Sequence, residues 1–208
     1  MRKFIINLSV ITITTLILIL FYLSTFGIKT KKFNSFINEK VNEFNSKIKL
    51  ETDDIFLKIN LIERNIKINT NQSRLKINEE LIYLSEININ LDLLKFIQKE
   101  NSIKKLNIVS EINQIKSITN FINNYKFNIP RLIFFNQIND GVIQVSANIL
   151  FDKEIKNGFS IEINGTVKDA SLNILSKDQI NNINFDFYVK DNSYNISDIK
   201  FDHQILNF

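Results

Sequence analysis

The chain has 208 residues, 44% of them hydrophobic and 23% charged, which is typical of a folded protein rather than a disordered one. It contains no Cys and a single His, which excludes a disulfide framework, a zinc site built from Cys and His, and a Cys nucleophile. The net charge is +4, but residues 1–32 hold five bases and no acid, whereas residues 33–208 hold 21 bases and 22 acids. The excess positive charge therefore flanks one apolar segment.

The uncharged segment from Phe4 to Ile28 is 25 residues long. As a helix it measures about 37 Å, which is enough to cross a hydrocarbon core of about 30 Å. A cleavable signal peptide has a shorter apolar region and a small-residue cleavage site, which residues 24–26 do not supply. We predict that residues 1–32 form an uncleaved transmembrane anchor; a cleaved signal and a buried helix are the alternatives. Bases lie on both flanks, so the positive-inside rule does not orient the anchor.

Residues 33–48 have the period of an amphipathic helix. One stripe collects its apolar side chains: Phe33, Phe36, Ile37, Val41, Phe44 and Ile48. Two interpretations stay open for this helix. It either covers the start of a sheet or lies on the bilayer surface.

From residue 50 the apolar period changes to two, which predicts half-buried strands. The predicted strands run through Ile55–Leu61, Ile66–Ile68, Leu75–Ile77, Ile87–Leu91, Leu106–Ile108, Ile143–Phe151, Phe159–Ile163, Leu172–Ile174, Ile183–Val189 and Ile199–Phe201. Turns between antiparallel strands are predicted at Asn139-Asp140-Gly141, Asn157-Gly158, Asn164-Gly165 and Asp191-Asn192-Ser193.

Two short helices are predicted to interrupt the strands, over residues 92–100 and 113–125, the second ending before Pro130. Two short helices are too few to cover the apolar faces of so many strands. Those faces must close on each other as a sandwich or barrel, or face something else that is apolar. The expected fold is therefore mainly β, with residues 49–208 forming one β-rich domain.

The sequence shows no motif for catalysis or for cofactor binding. The four glycines do not cluster, which excludes a phosphate-binding loop and a dinucleotide fingerprint. His203 has no Ser elbow nearby, and the adjacent acids Asp53-Asp54 and Glu79-Glu80 fit solvated turns. Residues 191–202 echo a calcium loop but have Ile196 where Gly is needed. We therefore expect no enzyme activity, no metal, no cofactor and no nucleic-acid partner, since the body has no net basic charge.

Three stretches resemble the N-terminal part of AsmA-like proteins, the group that includes TamB- and YhdP-type envelope proteins. One is the anchor plus the helix that ends in FNSKIKL (44–50). Another is LIYLSEININLDLLKFIQKENSIKKLNIVSE (81–111), similar to a strand, short helix and strand of that family. The last is FSIEINGTVKDASLNIL (159–175) followed by INFDFYVKD (183–191), similar to its repeated hairpins.

The resemblance implies a single-pass protein of the bacterial inner membrane, with a β-rich body in the periplasm that curls into an open, apolar groove. Such a groove would bind or carry phospholipid for outer-membrane biogenesis, with other envelope proteins as further partners. The groove-lining positions would be Ile55, Leu57, Ile59, Leu61, Ile87, Ile89, Leu91, Ile143, Val145, Ala147, Ile149, Phe151, Ile161, Ile163, Phe185 and Phe187. Bridging members of the family are several times longer, so the chain is either a piece of a longer protein or a short member that needs a partner. The alternative is an anchored β-sandwich or jelly roll that serves as an assembly subunit of the cell envelope.

Overall fold

Among the residues that the structure describes, one antiparallel sheet predominates, accompanied by four helices. The computed structural model describes residues 2–31, 34–44, 46–98, 100, 102–125, 137–138, 140–152, 158–175, 178–190 and 193–203. The helices are α1 (Arg2–Thr25), α2 (Asn34–Phe44), α3 (Leu93–Ile97) and α4 (Ile115–Tyr125). The strands are β1 (Ile28–Thr30), β2 (Ile48–Glu51), β3 (Ile55–Asn60), β4 (Asn65–Ile77), β5 (Glu80–Asp92), β6 (Ile103–Ser110), β7 (Asn113–Gln114), β8 (Val142–Phe151), β9 (Phe159–Leu175), β10 (Asp178–Lys190) and β11 (Ser193–His203).

The strand order is β1-β3-β4-β5-β6-β8-β9-β10-β11, and every pairing between these neighbours is antiparallel. The short strands β2 and β7 pair with the free lengths of β4 and β8. The described ends of this order, β1 and β11, do not pair with each other, so the sheet is open. The mainly β, antiparallel prediction is confirmed, whereas closure into a sandwich or barrel is not found among the described strands.

The helix α1 is long and apolar enough to cross a membrane, and none of that span is buried in the protein. The hydroxyls of Thr12, Thr14 and Thr15 each donate to the carbonyl four residues earlier at 2.9 Å, which satisfies them without water. The helix ends at Thr25, and Gly27, two residues later, adopts φ +68°. A Cβ there would lie 2.6 Å from Cζ of Phe56, so only glycine fits between the anchor and β3.

The main hydrophobic core lies between the N-terminal half of the sheet and the helices α2 and α4. Its buried members are Ile37, Leu50, Ile55, Ile82, Leu84 and Ile87. Val41 of α2 and Ile118 and Phe121 of α4 pack against them. The interpretation of α2 as a cover for the sheet is therefore confirmed for Ile37 and Val41. Phe33 and the side chains of Phe36 and Phe44 lie outside the described atoms.

Two predicted turns are wrong. Asn164 and Gly165 lie in the middle of β9, paired with Ser146 and Val145, so the two strands predicted on either side are one strand. The reason is tertiary, because the ring of Phe187 lies over Gly165 and takes the place of its missing side chain. Asp140 and Gly141 do not reverse the chain either. Ile138 before them and β8 after them both run antiparallel to β9.

The other turn predictions are confirmed as far as the described residues reach. Gly158, at φ +74°, lies in the connection between β8 and β9, where Phe151 pairs with Phe159. Lys190 pairs with Ser193 at the β10–β11 connection. Asn139, Asn157, Asp191 and Asn192 lie outside the described residues, as does Pro130.

Both short helices are confirmed within the predicted ranges, as α3 and α4. The side-chain oxygen of Asp92 caps α3 by accepting from the backbone N–H groups of Leu94 and Lys95. The prediction that Leu61 belongs to the strand that begins at Ile55 is wrong. The strand β3 ends at Asn60, and Leu61 lies in the following turn, where it is 44% exposed. The segments around Ile68 and Leu75, predicted as two strands, belong to the single strand β4.

Candidate functional site

A continuous line of aliphatic side chains crosses seven strands on one face of the sheet. The pairing register joins Ile28 of β1, Leu57 of β3, Ile68 of β4, Ile89 of β5, Leu106 of β6, Ile149 of β8 and Ile161 of β9. We call these residues the aliphatic row. Every one of them is half-buried, and no polar residue interrupts them. At about 4.8 Å between strands, the row is roughly 29 Å long.

The register places all but one of the predicted groove positions on this same face. They are Ile55, Leu57, Ile59, Ile87, Ile89, Leu91, Ile143, Val145, Ala147, Ile149, Phe151, Ile161, Ile163, Phe185 and Phe187. The exception is Leu61 in its turn. Period-two alternation is therefore sufficient to identify the apolar face, although whether these residues line a lipid groove stays a prediction.

Three of these positions are core in this structure rather than open surface. Ile55 is 0% exposed, Ile87 is 4% exposed and Leu91 is 8% exposed. Ile55 and Ile87 belong to the cluster that α2 and α4 cover. They offer no surface to a ligand. The prediction that these three residues line a groove is therefore wrong, because they are buried in the protein core.

The C-terminal half of the apolar face is covered much less. Among the described apolar residues of β8–β11, only Val167 and Ala170 are buried, in a small cluster with Ile115 at the start of α4. The predicted lining residues of β8, β9 and β10 are all half-buried. This part of the sheet therefore presents apolar side chains that the described helices leave accessible.

The last strand, β11, exposes four large side chains: Tyr194 at 77%, Ile196 at 56%, Ile199 at 57% and Phe201 at 51%. None of them was among the predicted lining residues. Strict alternation does not connect Ile196 to Ile199, because Asp198 adopts φ +54° and adds one residue to β11 opposite β10. Apolar and polar residues do alternate on each side of this bulge, through Tyr194 and Ile196 before it and Ile199 and Phe201 after it.

The opposite face carries polar side chains in an equally regular line. Asn69, Asn88, Asn107 and Asn148, from β4, β5, β6 and β8, pair in register, and we call them the asparagine row. Each Nδ2 donates to the next Oδ1, at 2.6 Å, 3.4 Å and 2.9 Å along the row. A shallow depression of about 320 Å³ lies along it.

Two carboxylates near this face have lowered pKa values. The backbone N–H of Lys95 and the Lys104 ammonium, 2.9 Å from the Asp92 carboxylate, hold the pKa of Asp92 below its usual value. The amide of Asn65, then Lys67, lower the pKa of Glu63 in the same way. Both carboxylates stay ionised and paired, which suits them to fixing turns rather than to transferring protons.

The acidic pairs and the single histidine noted in the sequence do not come together as a catalytic group among the described atoms. Asp53 and Asp54 lie in the exposed link between β2 and β3. Glu80 accepts a hydrogen bond from Asn120 of α4 at 2.8 Å, which joins the helix to β5. The side chain of His203 lies outside the described atoms. Within the described part of the chain, no three His, Cys, Asp or Glu side chains come together as a metal site.

Comparisons of the chain with protein-family models, with curated proteins and with solved structures gave no match. The family resemblance stays a prediction.

Proposed function

We propose that the protein is a membrane-anchored lipid-binding protein whose open sheet holds phospholipid acyl chains on its apolar face. The aliphatic row carries this proposal, because it is a half-buried, uninterrupted apolar path that begins beside the membrane-spanning helix. Ile28 follows the end of α1 by three residues. An acyl chain that leaves the bilayer at this point would meet the exposed parts of the row, in which Ile68, Ile89 and Leu106 also pack against the core beneath α2 and α4.

The energetics support the same proposal. Apolar surface in water costs about 25 cal/mol per Å², so the part of the apolar face that α2 and α4 leave accessible is stabilised by any apolar layer laid on it. A second sheet would supply that layer in a sandwich, but the described strands form one sheet. Lipid is the apolar partner that an anchored protein meets at the highest local concentration.

By the resemblance described above, we further propose that the membrane is a bacterial inner membrane and that the β-rich body extends into the periplasm. The function would then be phospholipid binding or transport for outer-membrane biogenesis. The exposed side chains of β11 favour a second candidate, an assembly subunit of the envelope that pairs this edge with another protein.

The test compares two neighbouring residues of β8 that face opposite sides of the sheet. Ile149 belongs to the aliphatic row, whereas Leu150, 47% exposed, lies on the polar face opposite Lys105. Ile149→Asp and Leu150→Asp make the same chemical change. Each variant and the wild type are purified as the full chain in mild detergent, and bound phospholipid is quantified by mass spectrometry.

We expect phospholipid with the wild type and with Leu150→Asp, and a loss of it with Ile149→Asp while far-UV circular dichroism keeps its β signal. If Ile149→Asp unfolds the body instead, the face is a closed core and the proposal is wrong. A folded wild type that carries no phospholipid and takes up no fluorescent lipid would favour the assembly subunit.

A further inference from the structure

The asparagine row has unused hydrogen-bonding capacity that all points to the same side of the sheet. An Asn amide has two N–H donors and an oxygen with two lone pairs. Asn88 and Asn107 each use one donor and one lone pair within the row. Each therefore keeps one donor and one acceptor for a ligand. Neighbouring asparagines of the row are separated by the inter-strand spacing of about 4.8 Å, so the four asparagines cover about 14 Å.

The depression along the row contains a further unsatisfied group. Asn90 lies beside the row, and its Oδ1 is buried without a hydrogen-bond partner. A buried amide oxygen without a partner is uncommon and is stabilised when a ligand donates to it. The row and Asn90 together line the depression with neutral donors and acceptors, of which the Asn90 oxygen is buried.

The charges around the depression favour a neutral ligand. Lys105 and Glu86 both line it, with opposite signs. Lys67, which also lines it, is 3.6 Å from Glu63 and is thereby partly neutralised. An anionic polymer would meet Glu86, and a cationic one would meet the lysines, so neither sign is selected.

Aromatic residues stand at both ends of the row. Phe56 of β3 pairs with Asn69 at one end. At the other end Glu162 of β9 pairs with Asn148 and accepts a hydrogen bond from the hydroxyl of Tyr188 at 2.6 Å. A ring with an apolar face can stack on an aromatic side chain while its edge groups bond to amides.

We propose that the asparagine row binds an extended, neutral glycan whose sugar rings carry hydroxyl and acetamido groups, laid across the strands. Successive rings of a β-1,4-linked glycan advance by nearly the distance between neighbouring strands, so one ring can lie over each asparagine. An acetamido group matches the Asn amide with one donor and one acceptor, and because neighbouring rings of a β-1,4 chain are turned by about half a turn, every second ring brings its acetamido group to the same side of the row. The site lies on the face opposite the aliphatic row and goes beyond the proposed lipid binding.

The experiment uses the full chain in lipid nanodiscs, because glycosidic detergents would compete for the site. Saturation-transfer-difference NMR measures binding of chitohexaose, which carries acetamido groups, and of cellohexaose, which has the same linkage without them. We expect chitohexaose to bind with a Kd on the order of 1 mM or below, and cellohexaose to bind more weakly. Asn88→Ala and Asn107→Ala should each weaken chitohexaose binding by about three- to tenfold.

The matched control is Asn195→Ala, an exposed asparagine of β11 that lies away from the row and should leave the Kd unchanged. Asn148→Ala removes one hydrogen bond at the end of the row, so it remains a test if the central variants fail to fold. The proposal is overturned if neither hexasaccharide shows saturation transfer, if the row variants bind like the wild type, or if polyphosphate displaces chitohexaose in a salt-dependent way.

The two proposals fail separately. A lipid-free protein that binds chitohexaose would overturn the proposed function and support the glycan site. Phospholipid without glycan binding would do the reverse and leave the row with a role in sheet stability alone.

Discussion

Replacing Gly165 by Ala should destabilise the protein, although glycine in a strand interior is normally unfavourable. Gly165 lies in the middle of β9, between Val145 of β8 and Phe187 of β10. A Cβ at this position would lie 2.5 Å from Cζ of Phe187 and 2.6 Å from the backbone oxygen of Gln144. The ring can move aside, but the oxygen belongs to β8 and cannot move without disturbing the sheet.

The magnitude follows from two opposing effects. Ala instead of Gly gains about 0.5–1 kcal/mol in a regular strand by lowering the entropy of the unfolded chain. Overpacking costs about 1–3 kcal/mol, and here part of the strain falls on the backbone. The net loss should be about 1–2 kcal/mol. In a Phe187→Ala background the ring clash is gone, so the loss should fall by about 1 kcal/mol while the backbone clash remains.

Guanidinium unfolding of the full chain in detergent, followed by far-UV circular dichroism, measures all four members of this double-mutant cycle. The chain has no Trp, so circular dichroism is preferred to fluorescence. The reasoning is refuted if Gly165→Ala is as stable as the wild type, or if its cost is the same with and without the Phe187 ring.

Three further outcomes are measured by the same unfolding assay. Ile55 is 0% exposed, so Ile55→Ala should lower the free energy of unfolding by about 2–5 kcal/mol. Ile196 is 56% exposed, so Ile196→Ala should lower it by less than about 0.5 kcal/mol. Equal losses would contradict the assignment of Ile55 to the core. The buried Asn113 amide accepts from the backbone N–H of Tyr83 at 2.8 Å and donates to the Tyr83 carbonyl at 2.9 Å. Asn113→Ala should therefore lower the free energy of unfolding by about 2 kcal/mol. An unchanged stability would show that water replaces the amide. Asp92→Ala should lower the free energy of unfolding at pH 7, because a carboxylate whose pKa is lowered in the folded protein stabilises the fold only when it is ionised. The difference from the wild type should disappear as the pH falls below the ordinary Asp pKa of about 3.9 and through the lowered pKa of Asp92. A difference that persists at pH 2 would show that the Asp92 side chain stabilises the protein by packing.

Most strands could be predicted from the sequence because a half-buried strand imposes a period of two on its own residues. The alternation from Ile143 to Phe151 corresponds to β8, and that from Ile183 to Val189 lies within β10. The errors come from long-range contacts. Asn164 and Gly165 have the composition of a turn, but the ring of Phe187, about 20 residues away, makes glycine suitable inside a strand.

The candidate site could be predicted only in part. Period-two alternation predicts the correct face for Leu57 and Ile149. It does not separate Ile28 from the anchor segment, because β1 has only three residues and is too short to show a period. The asparagine row could not be predicted, because Asn107 and Asn148 are joined by register across the segment that contains α4. Register is set by pairing between distant strands and leaves no local pattern.

The two rows stay in register because the irregularities of the sheet lie outside them. Between β5 and β6 the shifts fall at Leu84/Glu86 and at Asn90/Leu91, on either side of the rows. A shift of one residue inside this band would exchange the faces and bring asparagine among the aliphatic side chains. The bulges at Asp169, Asn182 and Asp198 all lie in β9–β11, past the last asparagine of the row. The regular band thus separates an apolar face from a hydrogen-bonding face over the same strands, so the proposed lipid and glycan sites lie on opposite faces of one sheet. The bulged strands continue the apolar face to β11, the end of the described strand order opposite to the anchor.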